Sequence, residues 1–144
     1  MKISTMGRYG IKLLIDLAEN KDKEHVTLKS IAERQGVSVR YLEHIAITLR
    51  RAGLIRSVKG SSGGYALAKR PEEICVGEAL RVLEGDMLII DPLKEGETEN
   101  KLHACLRRVI FNPLNNAIAA EIDRETIAGL TGTTDNSSSY MYFI

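Results

Sequence analysis

Between residues 27 and 68 the hydrophobic rhythm of the chain changes once, and that change narrows the available folds more than any other feature. Thr27 opens a short run with Leu28, Ile31 and Ala32 at helical spacing, and Gly36 closes it. Ser38 opens the next run after a short turn. It carries Leu42, Ile45, Ala46 and Leu49 on one side, reaches Arg51 and stops at Gly53. The period then becomes that of a strand: residues 54–58 and 65–68 flank Lys59-Gly60-Ser61-Ser62-Gly63-Gly64, which reads as a hairpin. Helix, short turn, helix, hairpin is the order of a winged helix-turn-helix, in which one helix braces and the second enters the major groove.

The flanking sequence supplies the rest of a mainly α fold with a small β wing. Ser4 or Thr5 can cap a helix running to about Asn20, with Ile3, Tyr9, Leu13, Leu14, Leu17 and Ala18 recurring on one face. After the hairpin, residues 76–84 read as a helix ending at Gly85, and residues 86–99 read as an acidic loop containing Pro92 and Gly96. Helical spacing resumes over 100–122 through Leu102, Leu106, Val109, Ile110, Leu114, Ala117, Ile118 and Ile122. Pro113 inside that run predicts a kink or a restart. A last helical turn at 126–130 precedes a Gly/Thr/Ser stretch ending in Tyr140-Met141-Tyr142-Phe143-Ile144. The expected organisation is a DNA-binding domain over 1–85, with the helix-turn-helix at 27–51 and the wing at 54–68. An acidic loop with long dimerisation and sensor helices follows over 86–130, then a flexible tail with an apolar end over 131–144.

Charge agrees with that division. Residues 1–70 carry 14 Lys and Arg against 6 Asp and Glu, whereas residues 71–144 carry 6 against 13, so a net charge of +1 hides a polarised chain. A basic half steers toward a polyanion, and an acidic half does not. In the second helix of the motif the inward set leaves Arg40, Glu43, His44 and Ile47 outward. Arg40 can pair with guanine O6 and N7, Glu43 can accept from cytosine N4, and Ser38 lies where backbone N–H groups favour phosphate. Arg56, Lys59, Gly60, Ser61, Ser62 and Gly63 make the wing thin and basic, which suits a narrow minor groove. Arg8, Tyr41, His44 and Arg51 complete the candidate DNA contacts. The plainer alternative is that Arg40, Glu43 and His44 solvate an exposed helix.

Other classes find little support. Residues 59–64 lack the strand-loop-helix context and the following Lys-Ser/Thr of a nucleotide phosphate loop. Cys105 and His103, two apart on a helix, do not face each other, so no catalytic pair is expected and an enzyme is not. An adaptor that kept the fold without binding DNA remains an alternative, but a basic wing and recognition helix speak against it. No apolar run approaches the roughly 20 residues that cross a bilayer, and the start lacks a signal-peptide apolar stretch, so no membrane and a cytoplasmic protein are expected. The apolar stripe on 100–122 exceeds what the acidic half can bury alone, which predicts a homodimer reading a two-fold operator in double-stranded DNA.

Ser4-Thr5-Met6-Gly7-Arg8-Tyr9, Ser38-Val39-Arg40-Tyr41-Leu42-Glu43, Leu49-Arg50-Arg51-Ala52-Gly53-Leu54, Gly63-Gly64-Tyr65 and Val82-Leu83-Glu84-Gly85 resemble the bacterial, Rrf-type regulator family that includes IscR, NsrR and CymR. The resemblance runs in order to about Leu130 and implies a winged-helix dimer whose long C-terminal helix crosses its partner. The Met-Lys-Ile-Ser-Thr start and the Tyr140 to Ile144 ending look like the cysteine-metabolism repressors of that family, typified by CymR. That likeness implies a repressor of sulfur and cysteine genes with cysteine synthase as a partner. Several members hold an iron–sulfur cluster on three cysteines, whose places fall here at about Leu93, Glu99 and Cys105; a leucine cannot donate. No metal or other cofactor is therefore expected, and an iron–sulfur or redox-sensing regulator of the same fold is the alternative. Cys105 is expected to pack against the long helix. Cys75 stands where a helix cap hydroxyl is usual, which leaves open a redox-sensitive thiol or a buried, inert one.

Overall fold

The computed structural model describes residues 1–60 and 63–132. Seven α-helices and one hairpin follow in the order α1 (Thr5–Glu19), α2 (Leu28–Gln35), α3 (Val39–Arg51), β1 (Ile55–Val58), β2 (Gly64–Leu67), α4 (Val76–Glu84), α5 (Lys101–Leu106), α6 (Asn112–Arg124) and α7 (Ile127–Leu130). Each helix of the motif begins as its sequence dictates. Ser4 Oγ accepts from Gly7 N at 3.2 Å, Thr27 Oγ1 from Ser30 N at 3.2 Å and Ser38 Oγ from Tyr41 N at 3.1 Å. Gly36 ends α2 at φ 66°, a left-handed backbone that a side chain disfavours.

The apolar faces converge on one core. Leu13 and Leu14 of α1, Ile31 of α2, Leu42, Ile45 and Leu49 of α3, Ile55 of β1, Ile74 and Ile127 are all buried in it. One polar tie crosses it: Arg34 of α2 forks onto the buried Asp16 of α1, Nε to Oδ2 at 2.9 Å and Nη2 to Oδ1 at 2.6 Å. β1 and β2 pair antiparallel, Ile55 opposite Leu67 and Val58 opposite Gly64. Val26 adds a one-residue third strand through two bonds of 2.9 Å with Tyr65, which sews the wing to the segment before α2. The chain returns to this body at its far end. Ile127 N donates to Ile74 O and Val76 N to Glu125 O, each at 2.9 Å.

Between them the loop and the long helix stand out from the core. α5 and α6 are joined by a π-helical stretch, Arg107–Phe111, so residues 101–124 form one uninterrupted helix. Of the kink or restart expected at Pro113, no restart occurs. A proline cannot donate four residues back and its ring crowds that carbonyl, and the turn just before it is widened, with Asn112 N–H bonding Arg107 O five residues back. No residue of α5, the π stretch or α6 is buried, and Leu102, Leu106, Val109, Ile110 and Leu114 are exposed. Two side chains strap the preceding loop to this helix. Asn115 accepts from Ile89 N at 2.7 Å and donates to Ile90 O at 3.0 Å, while Arg107 donates to Glu99 at 2.7 Å and to Asp91 O at 2.8 Å. No helix among the described residues is long and apolar enough to cross a membrane.

Candidate nucleic-acid interface

α3 is amphipathic in the sense its sequence predicts. With Leu42, Ile45, Ala46 and Leu49 buried, Arg40, Glu43, His44 and Ile47 face out. Arg51 is exposed in the last turn, and so is Arg50, which falls on the face of Glu43 and Ile47 by helical count and which the sequence reading passed over. Continuing the outward spacing one more turn finds it. Tyr41 stands differently from the other candidates. Its ring is half-buried, edge-on to Tyr9 of α1 with centroids 6.1 Å apart, and Lys12 Nζ lies 4.7 Å from the centre of the Tyr9 ring. Tyr41 therefore fixes the angle of α3 against α1. Arg8 is exposed in the first turn of α1, its guanidinium 3.4 Å from Thr5 Oγ1.

The wing begins where α3 ends. Arg56 points outward on β1, opposite Ala66, and Lys59 and Gly60 are exposed beyond the strand end. The turn closes through Gly63 N to Gly60 O at 3.2 Å. A Cβ on Gly64 would run into the backbone of Val26, so the absence of a side chain is what lets the third strand lie against the wing. Ser61 and Ser62 lie outside the described residues, as does the ending Tyr140 to Ile144.

Ion pairs hold some cations in both halves of the molecule: in the front half Arg34 pairs with Asp16, Lys69 with Glu78 and Arg70 with Glu73. In the back half Arg81 is held by Asp123 at 2.7 Å, Arg107 by Glu99 at 2.7 Å and Arg124 by Glu121. Among the described residues Arg40, Arg50, Arg51, Arg56 and Lys59 enter no ion pair. Cations left without a carboxylate on one exposed surface remain available to phosphates.

The two thiols occupy unlike places. Cys75 precedes α4 without capping it; its Sγ lies 3.6 Å from Asp123 O and 3.5 Å from Asp123 Oδ1, as a donor to the end of α6. Asp123 is held below the usual carboxylate range, first by the Arg81 hydrogen bond and then by the Cys75 thiol against desolvation. Cys105 does not pack as expected. It is exposed on α5, because the helix that carries it has no neighbour on that side among the described residues. The three cluster positions do not fit an iron–sulfur centre. Leu93 has no donor atom, the Glu99 carboxylate is taken by Arg107 with both side chains mostly buried, and Cys105 alone is a thiol.

Comparison with known proteins places this geometry. The family model Rrf2, described as an iron-dependent transcriptional regulator, matches residues 3–133. The HTH-type transcriptional regulator CymR of Bacillus subtilis (strain 168) is 36% identical over 145 aligned positions covering 100% of both chains. The solved structure of that CymR, described as the global cysteine regulator of B. subtilis, superposes with a TM-score of 0.78 at 34% identity over 92% of this chain and 98% of the other. The T. potens IscR structure superposes with a TM-score of 0.74 at 36% identity over 99% and 96%. The winged-helix architecture is thus shared with regulators of both kinds.

Proposed function

The chain belongs to the Rrf2 family of transcriptional regulators, and we propose that within it the protein is a cytoplasmic, homodimeric repressor of sulfur and cysteine genes that binds two-fold operators. The observation that carries the DNA-binding part is the set of cations on α3 and the wing that enter no ion pair among the described residues, next to an outward Glu43 placed where it can accept from a cytosine N4. In this reading Arg40, Glu43 and His44 read bases in the major groove, Ser38 and the start of α3 meet phosphate, and Tyr41 positions the helix. Arg8, Arg50, Arg51, Arg56 and the wing residues Lys59, Gly60, Ser61, Ser62 and Gly63 contact the backbone and minor groove. The exposed apolar stripe from Leu102 to Leu114 supports the dimer, since an isologous partner would cover it.

The pathway rests on likeness. Full-length similarity to a global cysteine regulator supports cysteine control, and the same likeness makes cysteine synthase the candidate partner. The test is binding of the full-length protein to two-fold duplexes taken from cysteine-metabolism promoters, against scrambled duplexes, across a salt series. A logarithmic salt slope of about 0.9 per phosphate neutralised, with preference for the two-fold sequence, is the expected result. Equal affinity for scrambled DNA would remove the repressor reading.

A further inference from the structure

Behind the wing lies a second concave feature, which shares only Arg56 with the candidate DNA surface. A cavity of about 520 Å3 opens between β2, the turn joining α1 to α2, and the segment leading to α4. That volume falls within the range of about 300–1,000 Å3 typical of small-molecule sites. On its floor lie Leu17, Val26 and Pro71, all buried, and its lining as a whole is about as polar as apolar. Its rim is cationic. Of the five Lys and Arg in the lining, Lys69 is held by Glu78 at 3.1 Å and Arg70 by Glu73 at 3.1 Å. Lys21, Lys23 and Arg56 enter no ion pair among the described residues, and Asp22 is the one carboxylate of the lining besides Glu73. The turn that carries the two lysines is itself anchored. Lys23 N donates to Asn20 O at 3.0 Å, and Asn20 Nδ2 donates to Asp16 O at 2.8 Å.

A partly apolar floor under a positive rim suits a ligand with two parts: a small apolar body and an acidic group. A DNA backbone would meet the rim but leave the floor empty, because a convex row of phosphates cannot enter a pocket. We propose that this cavity is the binding site of a small organic anion, a carboxylate or phosphate ester on a short carbon skeleton, and that its occupation weakens operator binding. The coupling follows from the walls. The ligand's charge draws Arg56 toward the cavity and away from the duplex, and β2, bridged to Val26 at Tyr65, carries the wing with it. By linkage, bound DNA weakens the anion by the same factor. The coupling part rests on the DNA-binding reading above; the binding part does not.

Phenyl phosphate is a suitable probe, titrated into the full-length protein and followed by backbone amide NMR. Saturable shifts concentrated at residues 21–26 and 65–70 are expected. Lys21→Glu with Lys23→Glu should weaken them by about tenfold or more, and Lys21→Arg with Lys23→Arg should preserve them. Both pairs are exposed, and matching thermal melts would show that the fold is kept. Shifts spread evenly over Lys29, Arg50 and Arg51, or unchanged by the charge reversal, would overturn the site. Equal affinity for inorganic phosphate would overturn it too, since the floor would then take no part. In the second arm, saturating phenyl phosphate should lower operator affinity about fivefold or more in the native protein and not in the Lys21→Glu, Lys23→Glu variant. Unchanged operator affinity with binding established would sink the coupling, whereas absence of any sequence-specific DNA binding would sink the repressor reading and leave the site standing.

Discussion

Arg81 and Asp123, 42 residues apart in the chain, meet fork to fork, Nη1 to Oδ1 at 2.7 Å and Nη2 to Oδ2 at 3.0 Å. The pair joins α4, the last helix of the winged body, to the final turn of the long helix. The same carboxylate accepts from the Cys75 thiol, and a Cβ on Gly77 would collide with it. Three features of the chain thus converge on one junction between the winged body and the long helix.

Asp123→Ala is expected to lower the melting temperature by a few degrees at neutral pH and to loosen the long helix, seen as faster amide exchange over residues 118–124. Because the folded carboxyl titrates below its ordinary value of about 3.9, its contribution is fully present above that pH and is lost as pH falls through the folded value. The gap in melting temperature between native and variant should stay constant from pH 5 to 7 and close on acidification below 4. A gap that widened in acid would contradict the pairing.

Gly64→Ala should destabilise the protein by about 1–3 kcal/mol, since the new methyl meets backbone that has little room to move. Operator affinity should fall with it, because the displaced strand carries the wing. Chemical denaturation reads the first effect and anisotropy the second.

Arg40→Ala and Glu43→Ala are expected to change which bases are preferred, by about 1–3 kcal/mol per lost bidentate contact. Lys59→Ala should instead weaken all sequences alike and reduce the salt slope by about 0.9. Selection of bound duplexes from a randomised pool separates the two. An unchanged preference for Glu43→Ala would end its base-reading role.

Val109→Glu and Ile110→Glu place charges on the exposed face of the long helix. If that face is the dimer contact, each variant should sediment as a monomer at micromolar concentration, where the native chain sediments as a dimer, with helical content unchanged.

Immobilised cysteine synthase should retain the full-length protein and raise its operator affinity. A preparation lacking residues 131–144 would show whether the apolar end takes part. No retention and no change in affinity would remove that enzyme as the partner.

What the sequence made legible is what is decided locally. Thr27 and Ser38, and the pair Ser4 or Thr5, could be read as caps because a cap bonds an amide three residues on, and Gly36 as a stop because a positive φ needs no distant partner. The outward set of α3 followed from period alone. Pairings across the fold were not legible. Nothing near Tyr41 signals that it leans on Tyr9, nothing near Val26 announces a one-residue strand beside Tyr65, and Cys75 gives no hint of Asp123. Cys105 was misjudged for a related reason: helical spacing shows which residues share a stripe, not whether the chain supplies anything to cover it.

The widened turn at Arg107–Phe111 resets the angular phase of the long helix. Leu106 and Leu114 are eight residues apart, which in a uniform α-helix would turn them by about 80° relative to each other. A π turn absorbs one residue of winding, so that offset shrinks to about 20° in the opposite sense. Leucines that a regular helical wheel would splay apart are brought into line, and a seam interrupted in sequence becomes continuous in space. An insertion beside a proline thus straightens the ridge that the helix presents to whatever lies against it.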